Sequence, residues 1–257
     1  MYRPNPLKAR LAAGKKSFGV WLSITHPVVA EILALAGYDF LLIDQEHGPG
    51  GPDDLIATLQ AMSATNVASV VRVPWNDPVY LKRVLDVGVE GVMVPAVETA
   101  EQAEQVVRAC RYPPRGFRGS AYQGVRASNY GMAADYRETA HDNLVIICQI
   151  ETRKAVDNLP EICKVDGIDV LFIGPNDLGG SIGRLGDLDH PEAAALQRRA
   201  EEGIRAGGRK IGCIPALGRD WQQMLDAGFD MILNASDATL LRDAALAETR
   251  AHRKKHP

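Results

Sequence analysis

Residues 40–51 read FLLIDQEHGPGG: four apolar residues run into Asp44, Glu46 and His47, then into a Gly/Pro turn. A carboxylate three residues before an imidazole can hold it in one tautomer and raise its basicity, as a general base requires. A helix-capping or merely hydrogen-bonded histidine is the competing reading. Arg72, inside VVRVPW, places a guanidinium in a segment otherwise built for burial. Such a group needs a partner. A small carboxylate or a developing oxyanion would serve, and so would a structural ion pair with a carboxylate such as Asp86. Glu151 and Asp177 lie 26 residues apart, about one strand–helix unit. Two carboxylates held together repel and raise a pKa unless a cation sits between them. Oxygen ligands with open positions suit Mg²⁺, Mn²⁺ or a similar divalent ion. The alternative is that each makes a salt bridge or caps the following helix. GPNDLGGSIG resembles an anion cradle at a turn, but no GK[ST] follows it, so it is no Walker loop.

These residues need a scaffold that brings them together. Eight short apolar, β-branched runs recur: residues 18–24, 39–44, 68–73, 91–97, 144–151, 169–174, 210–215 and 230–235. Between them apolar residues return at three- and four-residue spacing, the mark of amphipathic helices. Gly37, Gly88, Gly207 and Gly228 stand where left-handed helix caps belong. Near-continuous apolar strands imply burial on both faces and hence a parallel sheet. Eight such units predict one (β/α)8 TIM barrel over residues 1–257. A doubly wound sheet would want a Gly-rich turn after its first strand, and WLSITHP stands there instead. In a barrel, chemistry sits at the strand C-terminal ends. Polar groups gather at the ends of the second, third, fifth and sixth strands. One connection, residues 113–135, is too long and too rich in Gly, Arg and Ser to be a plain turn. It is expected to enter from the bottom of the barrel and either reach a neighbouring subunit or fold over a site.

Composition narrows the class. Hydrophobic residues make up 46% and charged residues 24%, with a net charge of −3. That profile fits a soluble globular protein and offers no basic field for nucleic acid or an anionic membrane. No apolar stretch is long enough to span a bilayer, and the N-terminus lacks a signal-peptide core. Cys110, Cys148, Cys163 and Cys213 are scattered, which predicts reduced thiols in a cytoplasmic protein.

Three long stretches, LLIDQEHGP, the run from VRVPWNDPVYLKRVLDVG to YPPRGFRGS, and CQIETRKAVDNLP through GPNDLGGSIG, resemble the HpcH/HpaI aldolase family. The likeness runs in order from about residue 18 to 245. It implies a (β/α)8 barrel and a class II pyruvate aldolase that uses a divalent metal (Mg²⁺, Mn²⁺ or Co²⁺) and no Schiff-base lysine. By resemblance the metal carboxylates fall on Glu151 and Asp177, and the arginine that steadies the pyruvate enolate on Arg72. The catalytic histidine falls on His47, with Asp44 and Asp86 as supporting acids. Gln149 takes the place of a pyruvate-contacting glutamine, and the backbone beside Asn176 and Asp177 that of the pyruvate-carboxylate site. The resemblance also implies a hexamer with exchanged C-terminal helices. This sequence departs from the pattern at Gln45, at Asn176, at Ser120 on the aldehyde side, and in IPALG after the seventh strand. None of the four touches the metal or the base, and all bear on the acceptor pocket. Two rival classes remain: an acyl-CoA lyase of the citrate lyase β or malyl-CoA lyase type, and a non-catalytic barrel that senses a 2-oxo acid. Oxaloacetate decarboxylation is an expected side activity, since it yields the same enolate.

Overall fold

A computed structural model describes residues 2–256. Eight parallel strands close in sequence order, each bonded to the next and the last to the first. They are β1 (Ser17–Leu22), β2 (Phe40–Asp44), β3 (Ala68–Arg72), β4 (Gly91–Val94), β5 (Val145–Ile150), β6 (Val170–Ile173), β7 (Lys210–Cys213) and β8 (Met231–Ser236). Each falls on one of the eight apolar runs. The helices are α1 (Pro6–Ala12), α2 (Pro27–Leu35), α3 (Pro52–Met62), α4 (Pro78–Val87), α5 (Ala100–Cys110), α6 (Tyr136–Thr139), α7 (Arg153–Asp157), α8 (Leu159–Ile162), α9 (Pro175–Gly180), α10 (Pro191–Ala206), α11 (Trp221–Asp226) and α12 (Asp237–Lys255).

Strand alternation divides the core in two. Phe40, Leu42, Val70, Met93, Ile147 and Phe172 point into the barrel. Leu41, Ile43, Val71, Val92 and Ile146 point outward and pack under the helices. Two phenylalanines fill the interior because glycines face them. Gly19 is the register partner of Phe40, and Gly212 that of Phe172. A methyl group on Gly19 would lie 2.4 Å from the Phe40 ring, and one on Gly212 2.5 Å from the Phe172 ring. Cutting either ring to alanine costs about 3–5 kcal/mol. Leu7 and Leu11 of α1 join the same interior cluster and stopper its lower end.

The period that sends Phe40 and Leu42 inward also sends Asp44 inward. In register, Asp44 stands opposite Arg72. The apolar pattern thus carries two charged side chains to the top layer of the barrel, at its C-terminal mouth.

The helix ends differ from expectation at one point. Gly37, Gly88 and Gly228 have positive φ, but Gly207 has φ −76° and the left-handed residue is Gly208, at φ 69°. The helix keeps one more residue before its turn.

The long connection is ordered and packs at the barrel's lower face. Tyr112, Ala127 and Tyr136 form a small cluster there with Tyr2 against it. Buried Arg118 ties it down, donating to Asp86 at 2.7 Å and to the Tyr136 hydroxyl at 3.2 Å. It does not fold over the mouth of its own chain.

The last helix is unusual. Of α12, Asp237 alone is buried, and Leu241 is 65% exposed. Asp237 accepts from the backbone N–H groups of Ser23 and Ile24, which fixes the root of the helix beside β1. All four cysteines are buried free thiols. Among the described residues no helix is long and apolar enough to cross a membrane.

Candidate active site

Arg72 is the hub of the mouth, 8% exposed. Its Nε donates to Asp44 Oδ1 at 2.9 Å and its Nη2 to Asp44 Oδ2 at 2.7 Å, a bidentate pair. Its Nη1 lies 3.0 Å from Glu46 Oε2. That contact is a close ion pair without hydrogen-bond alignment, since Glu46 Oε2 is buried with no bonded donor. The indole of Trp21 covers one face of the guanidinium, 4.4 Å from ring centroid to Cζ. The partner of Arg72 is therefore not Asp86, which sits in the last turn of α4 and is taken by Arg118.

Asp44 also accepts from the backbone N–H groups of Glu46 and His47, at 3.1 and 3.3 Å. Burial works to raise its pKa, but the hydrogen bonds and charge of Arg72 outweigh burial and hold it below the usual aspartate range. The same bonds correct the reading of His47. Asp44 holds the histidine's backbone, not its ring. The imidazole is 68% exposed, and its Nε2 lies 3.9 Å from Glu46 Oε1.

Across the mouth, Glu151 follows β5 and is buried at 7% exposure. Its Oε1 accepts from the Ala96 N–H at 2.6 Å, and its Oε2 from Gln149 Nε2 at 3.1 Å. Ala96 reaches it from a left-handed conformation, φ 53°, that non-glycine residues rarely adopt. Asp177 and Asn176 lie exposed in the first turn of α9. Burial, then the charges of Glu46 and Asp177, push the Glu151 carboxyl up to about 7. Burial likewise raises Glu46, against the pull of Arg72.

Four carboxylates (Asp44, Glu46, Glu151, Asp177) thus share this mouth with one guanidinium. Such an excess of negative charge fits a hard divalent cation. The donor chemistry agrees: Glu151 keeps free lone pairs, and buried Gln149 Oε1 has no partner. Among the described residues no three His, Cys, Asp or Glu side chains gather into a complete ligand set. A cation here would draw on Glu151 and Asp177 and complete its shell with oxygens from water or substrate, as Mg²⁺ commonly does.

Two sequence candidates stand apart. Asp86 and exposed Ser120 lie at the lower face with the long connection, because α4 runs back down the barrel from its start at the mouth. Two contributors, Trp21 and Ala96, were not among the sequence candidates, and Glu46 was named there without its partner. Trp21 was legible in principle, since it is two residues beyond Gly19 and so faces inward. Glu46 was visible, but its ion pair with Arg72 depends on how the β2 loop turns. The strained Ala96 has no sequence signature.

Comparison with known proteins agrees with this fold. The family model described as HpcH/HpaI aldolase/citrate lyase matches residues 17–244. A hydroxypyruvate/pyruvate aldolase of Chromohalobacter salexigens is 42% identical over 242 residues, covering 94% of this chain and 95% of that protein. A 4-hydroxy-2-oxo-heptane-1,7-dioate aldolase of Escherichia coli is 42% identical over 243 residues, covering 95% and 93%. The crystal structure of an HpcH/HpaI aldolase/citrate lyase family protein from Burkholderia cenocepacia J2315 superposes with a TM-score of 0.92 at 36% identity, covering 97% of this chain and 99% of that one. A closed eight-stranded barrel, a charged mouth and these likenesses over nearly the whole chain lead to one assignment: the chain belongs to the HpcH/HpaI aldolase/citrate lyase family and is a carbon–carbon lyase.

Proposed function

We propose that this enzyme is a divalent-metal-dependent pyruvate aldolase, cleaving a 4-hydroxy-2-oxo acid reversibly to pyruvate and an aldehyde. The observation that carries the reading is the opposition of buried Glu151, with Asp177 beside it, to the bidentately held Arg72. An anionic 2-oxo acid between them meets a fixed positive charge on one side and cation ligands on the other. The names of the two aldolases at 42% identity support the same class of substrate.

Glu151 and Asp177 would hold the metal, which when bound supplies Lewis-acid polarisation of the 2-oxo group and neutralises charge that grows there. Gln149 orients Glu151 through its Nε2 and keeps Oε1 free. Asp44 clamps Arg72, so its remaining N–H groups need no reorganisation as negative charge develops on the enolate oxygen. The Asn176–Asp177 turn borders the substrate carboxylate. His47, exposed at the rim, takes the 4-hydroxyl proton directly or through one water. The C3–C4 bond then breaks, the aldehyde leaves, and the enolate takes a proton at its methylene carbon, which becomes the methyl group of pyruvate. Asp86 and Ser120 can serve a mouth only from a neighbouring copy. This accords with a hexamer whose uncovered α12 helices are exchanged. Truncation before α12 should then leave monomers by light scattering.

The test is proton–deuterium exchange at the pyruvate methyl group in D₂O, followed by NMR with Mg²⁺ or Mn²⁺ and then with EDTA. Metal-dependent exchange is expected. Absence of exchange with every metal would overturn the reading and turn attention to CoA thioesters.

A further inference from the structure

β2 runs out into the corner that carries His47, and that corner is tied on both faces of the sheet. Inside the barrel, Asp44 holds Arg72. The strand period that turns Asp44 inward turns Gln45 outward. Gln45, expected to bear on the acceptor pocket, points its side chain at α4 instead and is 5% exposed. Its backbone N–H donates to Arg72 O at 2.9 Å, which carries the β2–β3 ladder one residue past the end of β2. Its Oε1 accepts from the Tyr80 hydroxyl at 3.0 Å. Tyr80 stands in the first turn of α4, the helix that follows β3, and packs against the outer core. Asp44–Arg72 on the inside and Gln45–Tyr80 on the outside thus brace one β2–β3 corner from opposite faces. Gln45 is also a position at which this sequence departs from the family pattern, so the brace belongs to chains that carry a glutamine there.

The turn beyond the brace is closely wound. Asp44 Oδ1 accepts from the backbone N–H groups of Glu46 and His47. At Gly48 there is no room for a methyl group, which would meet the Asp44 carbonyl oxygen, so the chain doubles back on its own strand end. His47 sits between these anchors. Its imidazole makes no hydrogen bond among the described residues, and its Nε2 is 3.9 Å from Glu46 Oε1. A ring without a bond of its own is placed by its backbone, and this backbone is placed by the corner. Gln45 Oε1 is an acceptor that burial cuts off from water. Without the Tyr80 hydroxyl it reaches another donor only if the corner moves.

We propose that Gln45 and Tyr80 are a positioning pair that braces the β2 corner from outside the barrel and so sets the reach of His47 to the 4-hydroxyl proton. The proposal rests on the aldolase reading and extends it to a residue pair that touches neither substrate nor metal. Arg72 lies on β3 and is held by Asp44, so the charged half of the mouth stays in place when the outer brace is cut. What shifts is the base.

The test uses Tyr80→Phe and Gln45→Met in the full-length enzyme, each also combined with His47→Ala. The first readout is amide hydrogen exchange of the peptide spanning residues 44–50, which needs no turnover. The second compares kcat and KM for cleavage of 4-hydroxy-2-oxopentanoate with pyruvate methyl exchange, both with Mn²⁺. Either variant should speed amide exchange in the corner and lower kcat for cleavage by about tenfold, inside the hundredfold that a misplacement of about 1 Å can cost. KM and methyl exchange should stay within about twofold. In the His47→Ala background neither substitution should lower cleavage further, because the group it positions is gone. Unchanged corner exchange in both variants would overturn the brace. A loosened corner with an unchanged ratio of cleavage to methyl exchange would leave only a structural contact and overturn the positioning role. Equal losses in the two reactions, or a further loss in His47→Ala, would show that the pair does not act through His47. Each variant cuts the same bond from its own side, so one that fails to fold leaves the other to decide. An unsubstituted enzyme without methyl exchange would overturn the aldolase reading and the positioning role with it, while amide exchange still decides whether the pair is a brace.

Discussion

Asp44 and Arg72 face each other across the β2–β3 ladder, and the carboxylate occupies two adjacent edges of the guanidinium, at 2.9 and 2.7 Å. The arginine proposed to meet substrate is thus already held in one orientation by the protein itself.

Asp44→Asn keeps the shape and removes the charge that aims Arg72. Pyruvate methyl exchange should fall by about 10²–10³, the cost of losing one fixed oxyanion donor. Stability should respond to pH as well. The folded pKa of Asp44 lies below its ordinary value, so its pairing stabilises fully above the usual aspartate pKa of about 3.9 and is lost as pH falls through the folded value. The Tm of the unsubstituted enzyme should drop more steeply than that of Asp44→Asn on acidification below about pH 4. Parallel curves would refute the coupling.

Glu151→Gln and Asp177→Asn should each abolish metal-dependent methyl exchange and weaken Mn²⁺ binding measured by calorimetry. Full activity in either would remove that residue from the metal site. In the metal-free protein Glu151 carries a folded pKa raised from 4.5 to about 7. The sign follows: a carboxylate that prefers its proton when folded makes the fold lose stability as pH rises from 4.5 to about 7. In EDTA the unsubstituted enzyme should show this loss in Tm, and Glu151→Gln should not.

His47→Ala separates two reactions of one enolate. Aldol cleavage needs a proton removed from the 4-hydroxyl; oxaloacetate decarboxylation has no such proton. Cleavage should fall by about 10²–10⁴, the usual range for a lost general base, with decarboxylation far less affected. Equal losses would give His47 a different role.

The barrel was legible because parallel strands buried on both faces read as apolar runs, and all eight runs became strands. Gly207 misled by one residue because a cap can precede the left-handed turn. The strand-end rule singled out Asp44, Arg72, Gln149, Glu151 and Asp177, which do share one mouth. Which carboxylate each cation takes was hidden. Arg72 pairs with Asp44 through register, and Asp86 goes to Arg118 from a loop with no period. Asp44 near His47 in sequence suggested a ring contact, yet its carboxylate faces inward while the imidazole turns out to solvent. Ala96 and Leu217 sit in backbone conformations that their residue types disfavour, and no local pattern announces them.

The α1 stopper gives the barrel a floor, and a floor leaves one doorway. Leu7 and Leu11 close the lower end, and the two phenylalanines fill the shaft above them. Whatever enters over the rim must return over it. On the proposed reading the pyruvate moiety lies deepest, among Arg72, Gln149 and Glu151, and the aldehyde outermost, toward the rim. Traffic through one doorway is last in, first out: the aldehyde departs before pyruvate can. Pyruvate should therefore compete with the 4-hydroxy-2-oxo acid in product inhibition, while the aldehyde inhibits noncompetitively.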